Sequence, residues 1–241
     1  MSSLREAWEE HAAAWTAWAR EPHHDSYWRF HRDAFLDLVP PPRGRTLDLG
    51  CGEGRLSRDL KALGHDVVGL DASPTMLAAA RAADPSIETR LGDAAALPFG
   101  AGAFDCVIAF MSLQDVDDFQ EAIRECARVL EPGGRLCLAI AHPINSAGRF
   151  AGDDPASPFI IADSYLDRFR REDTVERDGL EMTFVSDHRP LQDYFEALAD
   201  AGLLIERVRE PAIPEAAIVR ERSRLWQRVP LFLHARAIKP G

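Results

Sequence analysis

Apolar residues recur at helical spacing from the start of the chain. Leu4, Trp8, His11, Trp15 and Trp18 fall on one face, and Ser3 with Glu6 forms a capping-box start. A helix with a tryptophan stripe follows from that spacing. Packing is the plain use of such a stripe, and part of a lid over a ligand is the other. Pro22-His23-His24-Asp25 reads as a solvated turn. A second helix is predicted over 26–39, stopped by Pro40-Pro41-Pro42. Tyr27 and Trp28 open it, and one of them is expected either to cover a ligand or to pack in the core.

The pattern then changes to short apolar runs separated by helical stretches. Strands are predicted over 46–49, 66–70, 87–91, 104–110 and 135–140. One helix runs over 55–63 to Gly64, a second over 74–83 is capped by Ser73 with Pro74 behind it, and a third is capped by Asp118 and Glu121 and reaches Leu130. Alternation of this kind implies right-handed crossovers and a parallel sheet. Regularity breaks over 141–187, where prolines, the charged run DRFRREDTVERDG and one strand-like piece, 182–186, follow each other. The stretch is too long for a plain connection and is expected to fold as a cap over a site. A helix over 191–201, Gly202, a strand over 203–208 and a last strand over 231–238 complete the chain.

Composition narrows the function. The 241 residues are 46 % hydrophobic and 28 % charged, a globular balance, with a net charge of −11. That acidity argues against a general nucleic-acid binder; Arg220, Arg222, Arg224 and Arg228 lie among acids and read as a solvated helix face. No run approaches the about 18 apolar residues that span a bilayer, and the opening MSSLREAWEEHAAAW lacks the apolar stretch of a secretory signal. Cys51, Cys106, Cys126 and Cys137 form no CxxC pair and no zinc spacing. The reading is a reduced, cytoplasmic chain, a monomer or homodimer, with no disulfide framework and no metal. Lys61 and Lys239 are its only lysines, which leaves few candidates for lysine chemistry.

The strand ends carry the candidate chemistry, because open α/β sheets bind ligands at their carboxyl edge. Those ends hold Asp48, Asp71, Asp93 and His142. Glycines 50, 52 and 54 of LDLGCGEG allow a ligand close to the backbone, although such a loop alone could be a tight strand–helix turn. Asp71 is placed to grip ribose hydroxyls, and Asp93 either accepts an adenine amino group or only shapes a turn. Asp48 selects among nucleotides: a carboxylate beside the loop repels a pyrophosphate and welcomes an ammonium or sulfonium.

LDLGCGEG, GLDASPTML, GDAAALPF, FDCVIAFMSLQDV and RVLEPGGRLCLAI, in that order, resemble the successive motifs of class I S-adenosylmethionine-dependent methyltransferases. The resemblance covers 46–140. It implies a Rossmann-like, doubly wound seven-stranded sheet, mostly parallel with an antiparallel last strand, and S-adenosylmethionine as cofactor. The expected organisation is a single methyltransferase domain over 1–241, with N-terminal lid helices over 1–40, a cofactor-binding core over 46–140 and an inserted substrate cap over 141–188. By the same resemblance Asp48, Gly50, Cys51 and Gly52 line the methionine portion. Asp71 takes the ribose, with Leu70, Ala72 and Met76 beside the adenine. Asp93 and Ala94 hold the adenine edge, and Ala109, Phe110 and Gln114 border the sulfonium. One departure stands out: many small-molecule members carry a histidine-rich stretch where this chain has Leu113-Gln114-Asp115. The later HRPLQDYFEALADAGL resembles, more loosely, a subset acting on small molecules.

Methyl transfer is expected to go to oxygen, nitrogen or carbon of a small-molecule acceptor. A general base matters only where the acceptor must lose a proton. His142, past the fifth strand, is the first candidate and His188 the second, each with a plain loop-shaping alternative, and Asn145 could hold an acceptor's polar group. The competing readings are a non-catalytic cofactor sensor or partner subunit, an RNA methyltransferase, and an NAD-dependent dehydrogenase, which Asp48 and the short glycine spacing disfavour.

Overall fold

The computed structural model describes residues 2–22, 24–162 and 164–241. His23, part of the expected solvated turn, lies outside the described residues. Helix α1 (Leu4–Arg20) begins at the expected capping box: the Ser3 hydroxyl accepts the Glu6 N–H, and the Glu6 carboxylate accepts the Ser3 N–H. A π-turn (Tyr27–His31) leads into α2 (Arg32–Leu36). Then come β1 (Arg45–Leu49), α3 (Arg55–Ala62), β2 (Asp66–Asp71), α4 (Pro74–Ala83), β3 (Glu88–Leu91), β4 (Phe104–Phe110), α5 (Phe119–Val129) and β5 (Leu130–Ala141). The segment after β5 holds α6 (Pro143–Ala147), β6 (Gly148–Phe150), β7 (Phe159–Ile161), β8 (Phe169–Arg177) and β9 (Leu180–His188). Helix α7 (Leu191–Asp200), β10 (Leu204–Arg209) and β11 (Phe232–Ile238) follow.

Seven strands form one sheet in the order β10-β11-β5-β4-β1-β2-β3. β11 runs antiparallel to both neighbours, while β3, β2, β1, β4 and β5 are parallel. Side-chain alternation covers both faces. Val107 and Ala109 of β4, with Leu136, Leu138 and Ile140 of β5, pack beside Phe119, Ile123, Tyr194 and Leu198 of α5 and α7. Cys106, Ile108, Cys137 and Ala139 point the other way, to Tyr27, Phe35, Leu56 and Leu60. The four cysteines are buried thiols.

The differences from the sequence reading have local causes. The second helix opens one turn wide, with the His31 N–H reaching back five residues to the Ser26 carbonyl. The charged run is not irregular: it is β8, paired along its whole length with β9. Both central residues of its turn, Asp178 and Gly179, are left-handed, with φ of 52° and 78°. That is the backbone a two-residue hairpin needs. An Asp-Gly pair was the available signal; the charge concealed it, because a ribbon covered on one side tolerates charged side chains.

The arginines near the C-terminus sit around a 3-10 turn, Glu221–Gln227, with protein partners: Arg222 with Asp153, Arg224 with Glu215 and Glu221, and Arg228 on the carbonyls of Pro155 and Ser157. Among the described residues no helix is long and apolar enough to cross a membrane, and no group of three or more His, Cys, Asp or Glu is placed to hold a metal.

Candidate functional site

A cavity of about 540 Å³ opens at the carboxyl ends of β1, β2 and β4. The glycine loop after β1 forms its floor. Gly50, Gly52 and Gly54 are left-handed, with φ of 71°, 56° and 81°. Gly50 tolerates no side chain, since a Cβ there would stand 2.5 Å from the Ser112 Cβ. The N–H groups of Gly50 and Cys51 both donate to the Leu70 carbonyl, at 2.8 and 3.0 Å, which ties the loop to β2. Ser112 closes the other side by donating its hydroxyl to the Leu49 carbonyl at 2.7 Å. Met111, next to it, is left-handed at φ 57° without being glycine. Such strain persists where the surroundings over-determine it, and it gathers at binding sites.

Asp48 is buried at the end of β1 and accepts the Ser57 hydroxyl at 2.5 Å. Burial pushes its carboxyl up to about 7; the Ser57 hydrogen bond pulls the other way, and Asp71 adds to the rise. Neither Asp48 nor Asp71 has an ion-pair partner among the described residues. Asp71 accepts the Gly52 N–H and the Ser73 N–H, each at 2.8 Å, and burial raises its carboxyl too. A buried and a half-buried carboxylate, neither of them ion-paired among the described residues, face the cavity at the strand ends, which favours a positively charged complement there even though Arg5, Arg55 and Arg171 also line the cavity. Asp93 stands exposed at the rim, where its carboxylate accepts the Ala95 N–H at 2.9 Å. It therefore both shapes a turn and borders the cavity.

Gly50, Cys51, Gly52, Leu70, Ala72, Met76, Ala94, Phe110 and Gln114 also border the cavity. Ala109 does not: strand alternation turns it into the core, packed among Val107, Leu136 and Leu138. The departure at Leu113-Gln114-Asp115 is a buried 3-10 turn. Buried Arg189 holds it, donating to the carbonyls of Leu113, Gln114 and Val116 and to the Asp187 carboxylate. Burial raises the Asp115 carboxyl well above its ordinary range, and nearby Arg189 pulls it back.

The histidines expected as bases stand elsewhere. His142 caps α6: its Nδ1 accepts the Ile144 N–H at 3.1 Å and its Nε2 meets Glu210 at 2.9 Å. Burial lowers its basicity, against the pull of Glu210. His188 is held by the Ser146 hydroxyl at 2.6 Å and the Tyr165 carbonyl at 2.9 Å, stacked on Phe169. Neither is among the cavity-lining residues, and both ring nitrogens of each are engaged. Asn145 does line the cavity.

The far end of the cavity comes from residues that sequence reasoning left out or left open. Trp8 and Trp15 of α1 meet edge to face at 5.9 Å and roof the site with Phe184 of β9. The Trp8 indole donates to the Val185 carbonyl and so pins α1 to β9. Tyr27 lines the cavity; Trp28 points outward. His31, Arg55 and Phe232 complete the wall. The signals were faint: Tyr27 and His31 lie four apart on one helical face, and Phe232 and His234 two apart on one strand face.

Residues 47–138 match a family model described as a methyltransferase domain. The chain is 45 % identical over 132 residues to demethylmenaquinone methyltransferase of Thermus thermophilus, covering 52 % of this chain and 59 % of that protein. It is 36 % identical over 116 residues to malonyl-[acyl-carrier protein] O-methyltransferase of Enterobacter lignolyticus, covering 48 % of this chain and 46 % of that one. The chain thus spans about half the length of the curated relatives it matches. A solved S-adenosylmethionine-dependent methyltransferase from Mesorhizobium loti aligns with a TM-score of 0.70 at 30 % identity, over 89 % of this chain and 98 % of that one.

Proposed function

We propose, since this chain belongs to the class I S-adenosylmethionine-dependent methyltransferase family, that it methylates a small-molecule acceptor held at the cap end of its cavity. The observation that carries this reading is one continuous cavity of about 540 Å³, acidic at the strand ends and aromatic under the cap. That size suits a nucleoside with a small partner. The curated relatives named above are methyltransferases of a menaquinone precursor and of a malonyl carrier, which supports a small acceptor. The net charge of −11 and the partnered arginines disfavour RNA. A reducing, cytoplasmic setting belongs to the same reading, as does a monomer or homodimer.

S-adenosylmethionine, when bound, supplies an electrophilic methyl group on a sulfonium. The donor set fits a cation: Asp48 is buried, uncompensated and protonated up to about 7 until a positive charge arrives. In this reading Asp48, Gly50, Cys51 and Gly52 hold the methionine portion. Asp71 takes the ribose hydroxyls, with Leu70, Ala72 and Met76 beside the adenine, and Asp93 and Ala94 hold its edge. Phe110 and Gln114 border the sulfonium, and Ala109 supports Phe110 from within the sheet. Trp8, Trp15 and Phe184 exclude water above. Orientation of this kind is worth up to about 7–11 kcal/mol of a barrier.

Calorimetry tests the binding half of the proposal. S-adenosylhomocysteine should bind and NAD should not; the reverse defeats it. Incubation with methyl-labelled cofactor then separates acceptors. Label should enter small molecules of a metabolite extract and not tRNA, and label in tRNA alone would overturn the small-acceptor reading.

A further inference from the structure

We propose that His31, paired through Nε2 with His234, is the proton acceptor of the methyl-transfer site, and that the acceptor molecule is an aromatic hydroxyl compound whose O–H meets His31 Nδ1. The proposal rests on the methyl-transfer reading and names its substrate class.

The two imidazoles come from opposite ends of the chain. The π-turn delivers His31, and the alternation of β11 turns Phe232 and His234 to the same sheet face. Their Nε2 atoms are 2.9 Å apart, and both rings are buried. His31 stacks on Phe232 at 3.7 Å between centroids and lies 4.7 Å from the ring of Phe110, the last residue of β4. With Nε2 engaged, its remaining nitrogen is Nδ1, which has no hydrogen-bond partner among the described residues although the ring lines the cavity. A ring nitrogen without a protein partner on a cavity-lining residue is open to a ligand O–H, whereas His234 Nδ1, also unpartnered, is fully buried. Tyr27, Phe110 and Phe232 give the cavity wall around it an aromatic lining, the Tyr27 and Phe110 rings meeting edge to face at 5.6 Å.

Charge decides between a hydroxyl and an ammonium. Arg55 lies in the same wall, its guanidinium 4.2 Å from the Tyr27 ring centroid and paired with Asp25. Burial first, then His234 and Arg55, hold His31 neutral, while His234 is pushed down to about 4 by burial with Arg209 nearby. A neutral imidazole offers a lone pair, and the adjacent cation favours a developing oxygen anion over an ammonium. The acceptor's O–H bond breaks and its proton goes to His31 Nδ1. Its oxygen pair forms the bond to the methyl carbon, and the pair of the carbon–sulfur bond stays on sulfur as a neutral thioether. The imidazolium charge is shared across the Nε2···Nε2 hydrogen bond. His234 is thus a positioning residue.

The test uses the full chain saturated with S-adenosylhomocysteine, with 4-nitrophenol as probe and 4-nitroanisole, which lacks the O–H, as control. Nitrogen NMR of labelled histidine should find His31 neutral near pH 6 in the Nε2–H form, with Nδ1 unbonded. 4-Nitrophenol should move the Nδ1 resonance and shift toward the phenolate spectrum; 4-nitroanisole should do neither. His31→Gln should bind 4-nitrophenol roughly tenfold more weakly, the worth of one hydrogen bond. His234→Asn should free the His31 tautomer, so that both ring nitrogens average. An Nδ1–H tautomer in the wild type overturns the proposal, and so does an Nδ1 resonance blind to 4-nitrophenol. If the wild type does not bind S-adenosylhomocysteine, it is the methyl-transfer reading that fails instead.

Discussion

Asp48, Gly50, Gly52, Asp71 and Asp93, which the proposal gives to the nucleoside end of the cavity, come from one stretch of chain, 48–93. Tyr27, His31, Phe184 and Phe232, which the proposal gives to the acceptor end, come from pieces scattered between the first helices and the last strand. The nucleoside end is made of backbone: left-handed glycines, N–H groups and carboxylates at strand termini. The acceptor end is made of side chains that meet only through tertiary packing. Changes at the first end should therefore reach the fold and the cofactor together, and changes at the second should spare the cofactor.

The hardest blow to the nucleoside end is Gly50→Val. A left-handed φ of 71° costs a β-branched residue about 1–3 kcal/mol. Displacing Ser112, whose Cβ would lie 2.5 Å from the new Cβ, adds about 1–3 kcal/mol more. Urea unfolding should show about 2–6 kcal/mol lost in total. A variant of unchanged stability would mean that the loop is not clamped between β2 and Ser112.

Asp48→Asn sharpens the contrast in the opposite sense. The folded carboxyl titrates near 7 against an ordinary 3.8. Between those values the native state holds a proton that the unfolded chain has released, so the wild type loses stability as pH rises from about 4 to about 7. The span sets an upper bound of about 4 kcal/mol. Asp48→Asn should lack that slope and be the more stable protein above neutrality, yet bind the cationic cofactor less well. Unfolding curves across pH check the first outcome and calorimetry the second. Identical slopes in both proteins would remove Asp48 as an uncompensated buried acid.

The asymmetry explains how much the sequence disclosed. The seven strands, the glycine loop and the three carboxylates were legible because each is a local pattern: an apolar run, a turn residue, an acid at a strand end. Ala109 was misplaced because a resemblance identifies a segment, while strand alternation decides which of its residues faces the ligand. His142 and His188 stood at the right edge of the sheet, but a helix cap and the contacts of Ser146 and Tyr165 consumed their nitrogens. No spacing in the sequence announces that His31 meets His234, since 203 positions separate them. Nothing in the sequence singles out Arg189, and only packing reveals that it holds the carbonyls of Leu113, Gln114 and Val116.

Asp71→Asn comes next in size. It keeps the shape of the side chain but removes the charge that accepts the Gly52 and Ser73 N–H groups and faces the cavity. Charge-assisted hydrogen bonds are worth about 1.5–3 kcal/mol. S-adenosylhomocysteine affinity should fall by that amount in calorimetry. Unchanged affinity would place the ribose somewhere other than the end of β2.

The smallest effect falls on the β8–β9 ribbon. Gly179 sits at the tip of the β8–β9 ribbon with φ 78°, and nothing stands within 4 Å of a Cβ built there. Gly179→Ala therefore meets no clash and costs only the left-handed backbone, about 1 kcal/mol. Gly50 is left-handed too, so the pair separates conformational strain from steric exclusion. The ribbon tip also touches the N-terminal segment, since the carboxylate of Asp178 meets His24 Nε2 at 3.1 Å. Loss of the turn should thus speed amide exchange in β8 and β9 and in the residues after α1, while S-adenosylhomocysteine affinity stays at the wild-type value. A matching fall in affinity would join the two ends of the cavity energetically and undo the separation drawn between them.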